Sequence, residues 1–322
     1  MKNMNNNILV KLVASACLML LALPIFAGDL NNSAAAYIRM GIGARIIAMG
    51  EAGTATAKDI TAAYWNPAGL SYMKDIEFTT SYAMDMGYDR SYQHAAVGKH
   101  FGFGVLALSW VNAGVSDIIG TDASNNDTGT FSNSDNNIAL SYANRYKRLS
   151  YGLTPKLYTS AIDGDTEMGF GIDLGAKYDI NQYLEAGLML RDAYGSLADD
   201  RIPYQVQAGI TAYPFLGVTL AADVHYEQEE DPYMIFGAEY WTTIGKDPEA
   251  DSKLSVINVH ERSAWADLFS QFQTGIRVGF NDNRFSAGAG IRFRNFQIDY
   301  AYRIGNHDIF NDDHLLGLIL RF

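Results

Sequence analysis

Asp223, His225 and Glu227 are the residues best placed for chemistry, alternating with Val224 and Tyr226 in the stretch AADVHYE. A period of two puts all three on one face of a strand. Two carboxylates flanking an imidazole could pass protons along a lumen or act as an acid/base group, and polar residues at this spacing also simply line the lumen of a barrel. A second concentration, His307, Asp308, Asp312, Asp313 and His314, has the residue types of a metal site. Nothing in its spacing fixes a ligand geometry, and a solvated acidic loop accounts for it. The Asp/Asn-rich stretch at residues 122–137 lacks a complete calcium-loop pattern, and Asn126-Asp127-Thr128 fits a glycosylation acceptor at chance level. Gly41-Ile42-Gly43 has neither the preceding strand nor the following βαβ unit of a dinucleotide loop. No serine, histidine and acid set stands out as a triad. No enzymatic activity, cofactor or metal is therefore expected.

Composition narrows the class. The chain has 322 residues, 12% aromatic, with 20 tyrosines and 30 glycines, and a mean hydropathy near zero. That is too polar for a helical membrane protein and suits a barrel with aromatic girdles and a glycine-rich lumen. The formal net charge of −12 argues against nucleic acid, which needs clustered positive charge, and implies acidic loops or an acidic lumen.

Residues 1–27 read as a secretory signal, with Lys2 and Lys11 near the start, an apolar run at residues 12–23, and Ala27 before Gly28. The apolar run falls short of the roughly 20 residues of a spanning helix. Cys17, the one cysteine, lies inside this signal, so the mature chain is expected to have neither disulfides nor thiol chemistry.

Positioning the polar residues requires strands, and a period of two recurs along the chain. At residues 285–294 one face carries Phe285, Ala287, Ala289, Ile291 and Phe293, and the other Ser286, Gly288, Gly290, Arg292 and Arg294. Residues 168–179 sort Met168, Phe170, Ile172, Leu174, Ala176 and Tyr178 from Gly169, Gly171, Asp173, Gly175, Lys177 and Asp179. A one-residue slip would put arginine into lipid at about 2–4 kcal/mol near the midplane, so the register is well determined. The pattern predicts strands at 76–86, 91–100, 102–113, 136–146, 149–161, 167–180, 183–193, 204–214, 217–228, 233–243, 271–280, 284–294, 296–304 and 314–322. Fourteen is an even count, as a closed all-β, up-and-down transmembrane barrel with both ends in the periplasm requires.

With the first strand running outward, residues 115–135, 192–203 and 305–313 become external loops. Residues 245–270, with a short amphipathic helix at 263–269, become a long periplasmic insertion. Leu316, Leu318, Leu320 and Phe322 share one face of the last strand.

Ahead of the strands, residues 37–73 mix small residues with isolated apolar ones and lack a long helical stripe. Asp59 can cap a short helix at residues 60–64. Asn66-Pro67 ends it, and Gly69 permits a positive φ. The run GIGARIIAMGEAGTATAKDITAAYWNPAGLS resembles the N-terminal segment of the PorV/PorQ family, within the FadL-like superfamily. Asn66, Pro67, Ala68 and Gly69 carry the most recognisable part, and RFSAGAGIRFRNFQIDYAYRI resembles the penultimate hairpin of these proteins. The resemblance implies a signal at 1–27, a small N-terminal hatch at 28–74, and an outer-membrane barrel at 75–322. It also implies a non-enzymatic role in protein secretion of the type IX kind, holding or shuttling exported cargo among secretion-system proteins at the cell surface. The FadL-like alternative is passive transport of long-chain fatty acids or another hydrophobic ligand. Terminal Phe322 resembles the signal read by the barrel-insertion machinery, which with outer-membrane lipid completes the expected partners.

Overall fold

The computed structural model describes residues 35–84, 90–243, 272–282, 284–305 and 312–322. The expected signal at 1–27, the connection at 245–270 with its helix, and His307 and Asp308 lie outside the described residues.

Fourteen antiparallel strands close into one barrel: β1 (Ile76–Met84), β2 (Arg90–Phe101), β3 (Gly104–Thr121), β4 (Asp127–Tyr146), β5 (Leu149–Ile162), β6 (Asp165–Asn181), β7 (Leu184–Leu197), β8 (Gln205–Ala212), β9 (Val218–Glu227), β10 (Tyr233–Thr243), β11 (Phe272–Asn281), β12 (Arg284–Phe293), β13 (Phe296–Arg303) and β14 (Asp313–Arg321). Each strand pairs with its neighbours in sequence, and β1 pairs with β14 from Glu77 opposite Arg321 to Met84 opposite His314. Closure removes the unpaired edges that lipid could not hydrate.

Alternation sorts the two faces as the sequence requires. On β12 Phe285, Ala287, Ala289 and Ile291 are exposed outward, whereas Ser286 and Gly290 are buried inward. On β11 Ile276 and Val278 face out while Arg277 is buried.

Two expected loops are strand instead. Residues 115–135 were expected to form a loop, but β3 and β4 continue through them as a hairpin, with Ile118 opposite Phe131 and Ile119 opposite Thr130 after a bulge at residues 116–117. The apolar alternation fades there because the ribbon extends past its neighbouring strands and has no inside and outside to sort. Likewise β7 runs on to Leu197, and Asp200–Arg201 folds back against its end.

Strand β7 also contains a break in register. Ile172 pairs with Tyr194 but Leu174 pairs with Leu190, so the bulge turns Arg191 and Asp192 both inward, Asp192 at φ 48°. Adjacent arginine and aspartate in an alternating strand would otherwise leave one charge on the apolar outer face.

The core lies inside the barrel. Residues 35–73 occupy the lumen as short turns: a 3₁₀ turn Ala36–Arg39, helix α1 (Ala44–Ile47), helix α2 (Ala62–Trp65) and a 3₁₀ turn Pro67–Tyr72. Ile42, Ile47, Met49, Ile60 and Leu70 are fully buried. Small and apolar residues spread around the segment, with no single stripe, are what enclosure on every side demands.

Candidate functional site

This segment occupies the lumen, and two kinds of contact hold it. One is close backbone approach. Asn66 is fully buried with φ −166°, the extended conformation proline imposes on its predecessor. Its Nδ2 donates to Thr54 O at 2.8 Å and lies 3.2 Å from Ala176 O and 3.4 Å from Leu188 O, while its Oδ1 accepts from Ala68 N at 3.1 Å. Ala176 and Leu188 are partners across β6 and β7, so this one amide ties the segment to the barrel wall.

Wall glycines make room for it. A Cβ at Gly175 would collide with Asn66 Oδ1 and sit 2.9 Å from Pro67 Cδ, and one at Gly187 would collide with Thr54 O. Gly175 and Gly187 both sit on the polar face of their strands, so those inward glycines are seats for backbone. Gly69 plays the same part from inside the segment, where an added side chain would strike Ala57 O. It is absent from the positive-φ glycines, so close approach and not the expected positive φ is its reason for being glycine.

The short helix was expected at residues 60–64 with Asp59 as its cap. The observed turn is Ala62–Trp65, and Asp59 Oδ1 accepts from Thr61 N at 3.0 Å and Thr61 Oγ1 at 2.5 Å, one residue ahead of it.

The second kind of contact is charge. Residues 35–73 contain five charged side chains, Arg39, Arg45, Glu51, Lys58 and Asp59, and each meets an opposite charge on the wall. Arg39 pairs with Glu227 of β9 at 2.7 Å, and Lys58 with Glu185 of β7. Glu51 meets Arg303 of β13 at 2.7 Å, and Asp59 faces Arg321 of β14 at 3.8 Å.

Arg45 makes the most complete of these pairs, with Nε 2.8 Å from Glu239 Oε1 and NH2 2.6 Å from Oε2. Glu239 also receives Arg277 at 2.7 Å, and Arg277 reaches Asp299 at 2.9 Å, so an alternating chain of charge runs along the wall behind the segment. Burial penalises the Arg45 guanidinium, yet Glu239 beside it outweighs that and holds its pKa above the usual value. Burial would raise Asp59, but Arg45, Arg321 and the Thr61 hydrogen bonds together hold its carboxyl below the ordinary value of 3.8.

At the bulge, Lys156 Nζ lies 2.5 Å from Asp173 Oδ1 and 2.7 Å from Asp192 Oδ1. Tyr158 OH donates to the same Asp192 oxygen at 2.7 Å. Arg191 donates to Tyr64 O at 3.0 Å and stacks over the Tyr64 ring at 4.3 Å, adding a further tie to the segment.

Asp223, His225 and Glu227 all face the lumen, but each is committed to a different partner. Asp223 Oδ2 accepts from Thr54 N at 3.0 Å, His225 stacks on Tyr233 with ring centroids 4.8 Å apart, and Glu227 holds Arg39 and Gln205. The arrangement anchors the segment and gives no file of proton carriers. A cavity of ≈ 50 Å³ bordered by Arg39, Glu51, Arg191, Gln207, His225 and Glu227 has room for a few waters. Asp313 pairs with Arg303 at 2.5 Å and His314 Nδ1 lies 2.7 Å from Tyr300 OH, while Asp312 hydrogen-bonds Tyr302, so these three are engaged in the barrel rim. Among the described residues no group of histidine, cysteine, aspartate and glutamate has the geometry of a metal site.

Of the segment's charged residues only Asp59 was singled out in the sequence, as a helix cap, though a charge in an otherwise small and apolar run is a signal that a partner must exist. Phe322 extends β14, its N–H donating to Ile76 O at 2.9 Å, and its ring is exposed.

No protein-family profile matches the chain, and no curated protein does. Solved structures do. The toluene transporter TbuX of Ralstonia pickettii is 13% identical, covers 88% of this chain and 98% of its own, and gives a TM-score of 0.58. The toluene transporter TodX of Pseudomonas putida is 10% identical over 88% of this chain and 99% of its own, with a TM-score of 0.56. The monoaromatic hydrocarbon channel CymD is 11% identical over 88% and 98%, with a TM-score of 0.57. At these identities the likeness shows the fold alone, a closed fourteen-stranded barrel.

Proposed function

We propose that this protein resides in the bacterial outer membrane and lets hydrophobic small molecules cross passively, with residues 35–73 acting as a hatch. The observation that carries this reading is a lumen occupied by a chain segment tied to the wall at every charge it bears, in a fold shared with barrels that conduct toluene and other monoaromatic hydrocarbons. A segment held by many separate polar contacts can be released in part and reseated, whereas one continuous with the wall cannot. The protein's own contribution is steric and electrostatic, with no covalent step. Phe322, on this reading, addresses the chain to the barrel-insertion machinery.

The test is uptake of radiolabelled toluene and of a long-chain fatty acid by proteoliposomes containing the purified barrel. Entry faster than in protein-free liposomes supports transport. The same rate in both, together with exported proteins co-purifying from the native membrane, would favour the cargo-holding role in secretion that the PorV/PorQ resemblance implies. That affiliation rests on the residue patterns at 41–71, most recognisably Asn66–Gly69, and at 284–304.

A further inference from the structure

The net charge of −12 is unevenly placed. The end of the barrel reached by the outward-running strands carries Asp122, Asp127, Asp163, Asp200, Glu229 and Asp231 in its connections. The opposite rim, where both chain ends of the barrel lie, carries Lys99, Arg145, Lys147 and Arg148 at two adjacent turns, β2–β3 and β4–β5. These turns touch: Tyr142 OH and Asn144 Nδ2 both donate to Phe103 O at 2.8 Å.

Four cations on one rim are not equivalent. Arg145 pairs with Asp179, and Tyr72 OH donates to that same carboxylate, so the nearest acid is already occupied. Arg148 donates to Ile180 O at 3.2 Å. Lys99 and Lys147 have no carboxylate partner among the described residues, and each lies over an aromatic ring, Lys99 over Phe101 at 5.5 Å and Lys147 over Tyr146 at 5.2 Å. Lys74 is followed in sequence by Asp75.

Position makes these two lysines informative. On β2 the outward face runs Val97, Lys99, Phe101, so Lys99 follows directly on a lipid-facing valine that is 46% exposed. Beside it stand the exposed rings of Phe103, stacked on Phe101 at 5.3 Å, and Tyr146. Aromatic rings at the level of the headgroups with lysines extended past them form the interfacial belt of a membrane protein, where the aliphatic stem covers apolar surface and the ammonium seeks phosphate.

We infer that the paired β2–β3 and β4–β5 turns form a binding site for an anionic phospholipid of the periplasmic leaflet, with Lys99 and Lys147 on its headgroup phosphate and Phe101, Phe103 and Tyr146 along its upper acyl chains. Lys99 is level with Tyr142 of β4 through Leu106, and Lys147 follows five residues further on, so the two lysines stand roughly 10 Å apart across the strands and roughly 16 Å along them, a gap for two extended side chains with one headgroup between them. A zwitterionic headgroup brings its own ammonium against these lysines, whereas a phosphatidylglycerol headgroup does not. The inference rests on the membrane placement proposed above, and it is independent of what the barrel transports.

The test is native mass spectrometry of the full-length barrel released from nanodiscs of phosphatidylglycerol and phosphatidylethanolamine in equal parts. The wild type should retain phosphatidylglycerol preferentially. K99Q/K147Q should lose that preference by about fivefold per lysine removed, and K99R/K147R should keep it. Heat-shifted electrophoretic mobility verifies that each variant is a closed barrel. Equal retention of the two lipids by the wild type, or an unchanged preference in K99Q/K147Q, would overturn the inference. So would displacement of the lipid by inorganic phosphate, which would mark a site for a free anion. Toluene uptake reports only on the transport reading, so the two can fail separately.

Discussion

Arg45 and Glu239 are 194 residues apart in sequence and meet through two parallel hydrogen bonds, the segment's guanidinium clamped on a carboxylate of β10. Glu239 also neutralises Arg277, so the two partners are not equivalent. Glu239→Gln leaves two guanidiniums facing each other in a buried wall and should cost about 3 kcal/mol or more. Arg45→Gln leaves Glu239 with Arg277 and should cost less. Denaturation midpoints in detergent, taken as a double-mutant cycle, should show that order and a favourable coupling.

Asn66→Ala removes the donors to Thr54, Ala176 and Leu188 and the acceptor for Ala68 without altering the barrel ladder. At about 1 kcal/mol for each well-made hydrogen bond, seating should weaken by about 2 kcal/mol. Efflux of a small polar dye from proteoliposomes should rise while heat-shifted mobility is unchanged. Unaltered efflux would count against a plug.

Gly175→Val inserts a side chain where Asn66 and Pro67 lie against the wall. Overpacking there should cost about 1–3 kcal/mol and raise dye efflux as Asn66→Ala does. Gly102→Ala is the control, since its position in the β2–β3 turn has nothing within 4 Å and no positive φ.

Asp59 carries the acid dependence. Its pKa is depressed in the folded protein below the ordinary 3.8, so its stabilisation is present above that value and is lost as pH falls through the folded pKa. Dye efflux should therefore stay low through neutral pH and climb only below about pH 4. Asp59→Asn should show higher efflux at neutral pH and a flatter acid limb.

The barrel was legible because a wall apolar outside and polar inside imposes a rule on every second residue. Phe285, Ala287, Ala289 and Ile291 could only face outward once Arg292 had to face inward, and strand limits followed to within a few residues. Where the wall ends the rule ends, which is why the β3–β4 hairpin read as a loop. The bulge at Asp192 was visible only as two adjacent charges that one alternating strand could not both bury. Asp223, His225 and Glu227 were placed on the right face with an open role. Their partners Thr54, Tyr233 and Arg39 follow from how the segment threads a closed lumen, and no local pattern encodes that. The pairing of Arg45 with Glu239 was hidden for the same reason.

The central claim, that a hydrophobic solute crosses this barrel only when the segment moves, is tested most directly by locking the segment. A Cβ at Gly317 of β14 would stand 3.6 Å from Ala44 Cβ of α1, within the range a disulfide spans. Ala44→Cys/Gly317→Cys, with Cys17 replaced by serine, should therefore close under oxidation. Toluene uptake by proteoliposomes of this variant should match the wild type when reduced, fall to the protein-free rate when oxidised, and return with reductant. Uptake that continues undiminished through the oxidised barrel would contradict a gating hatch, and a wild type no faster than bare liposomes would contradict transport itself.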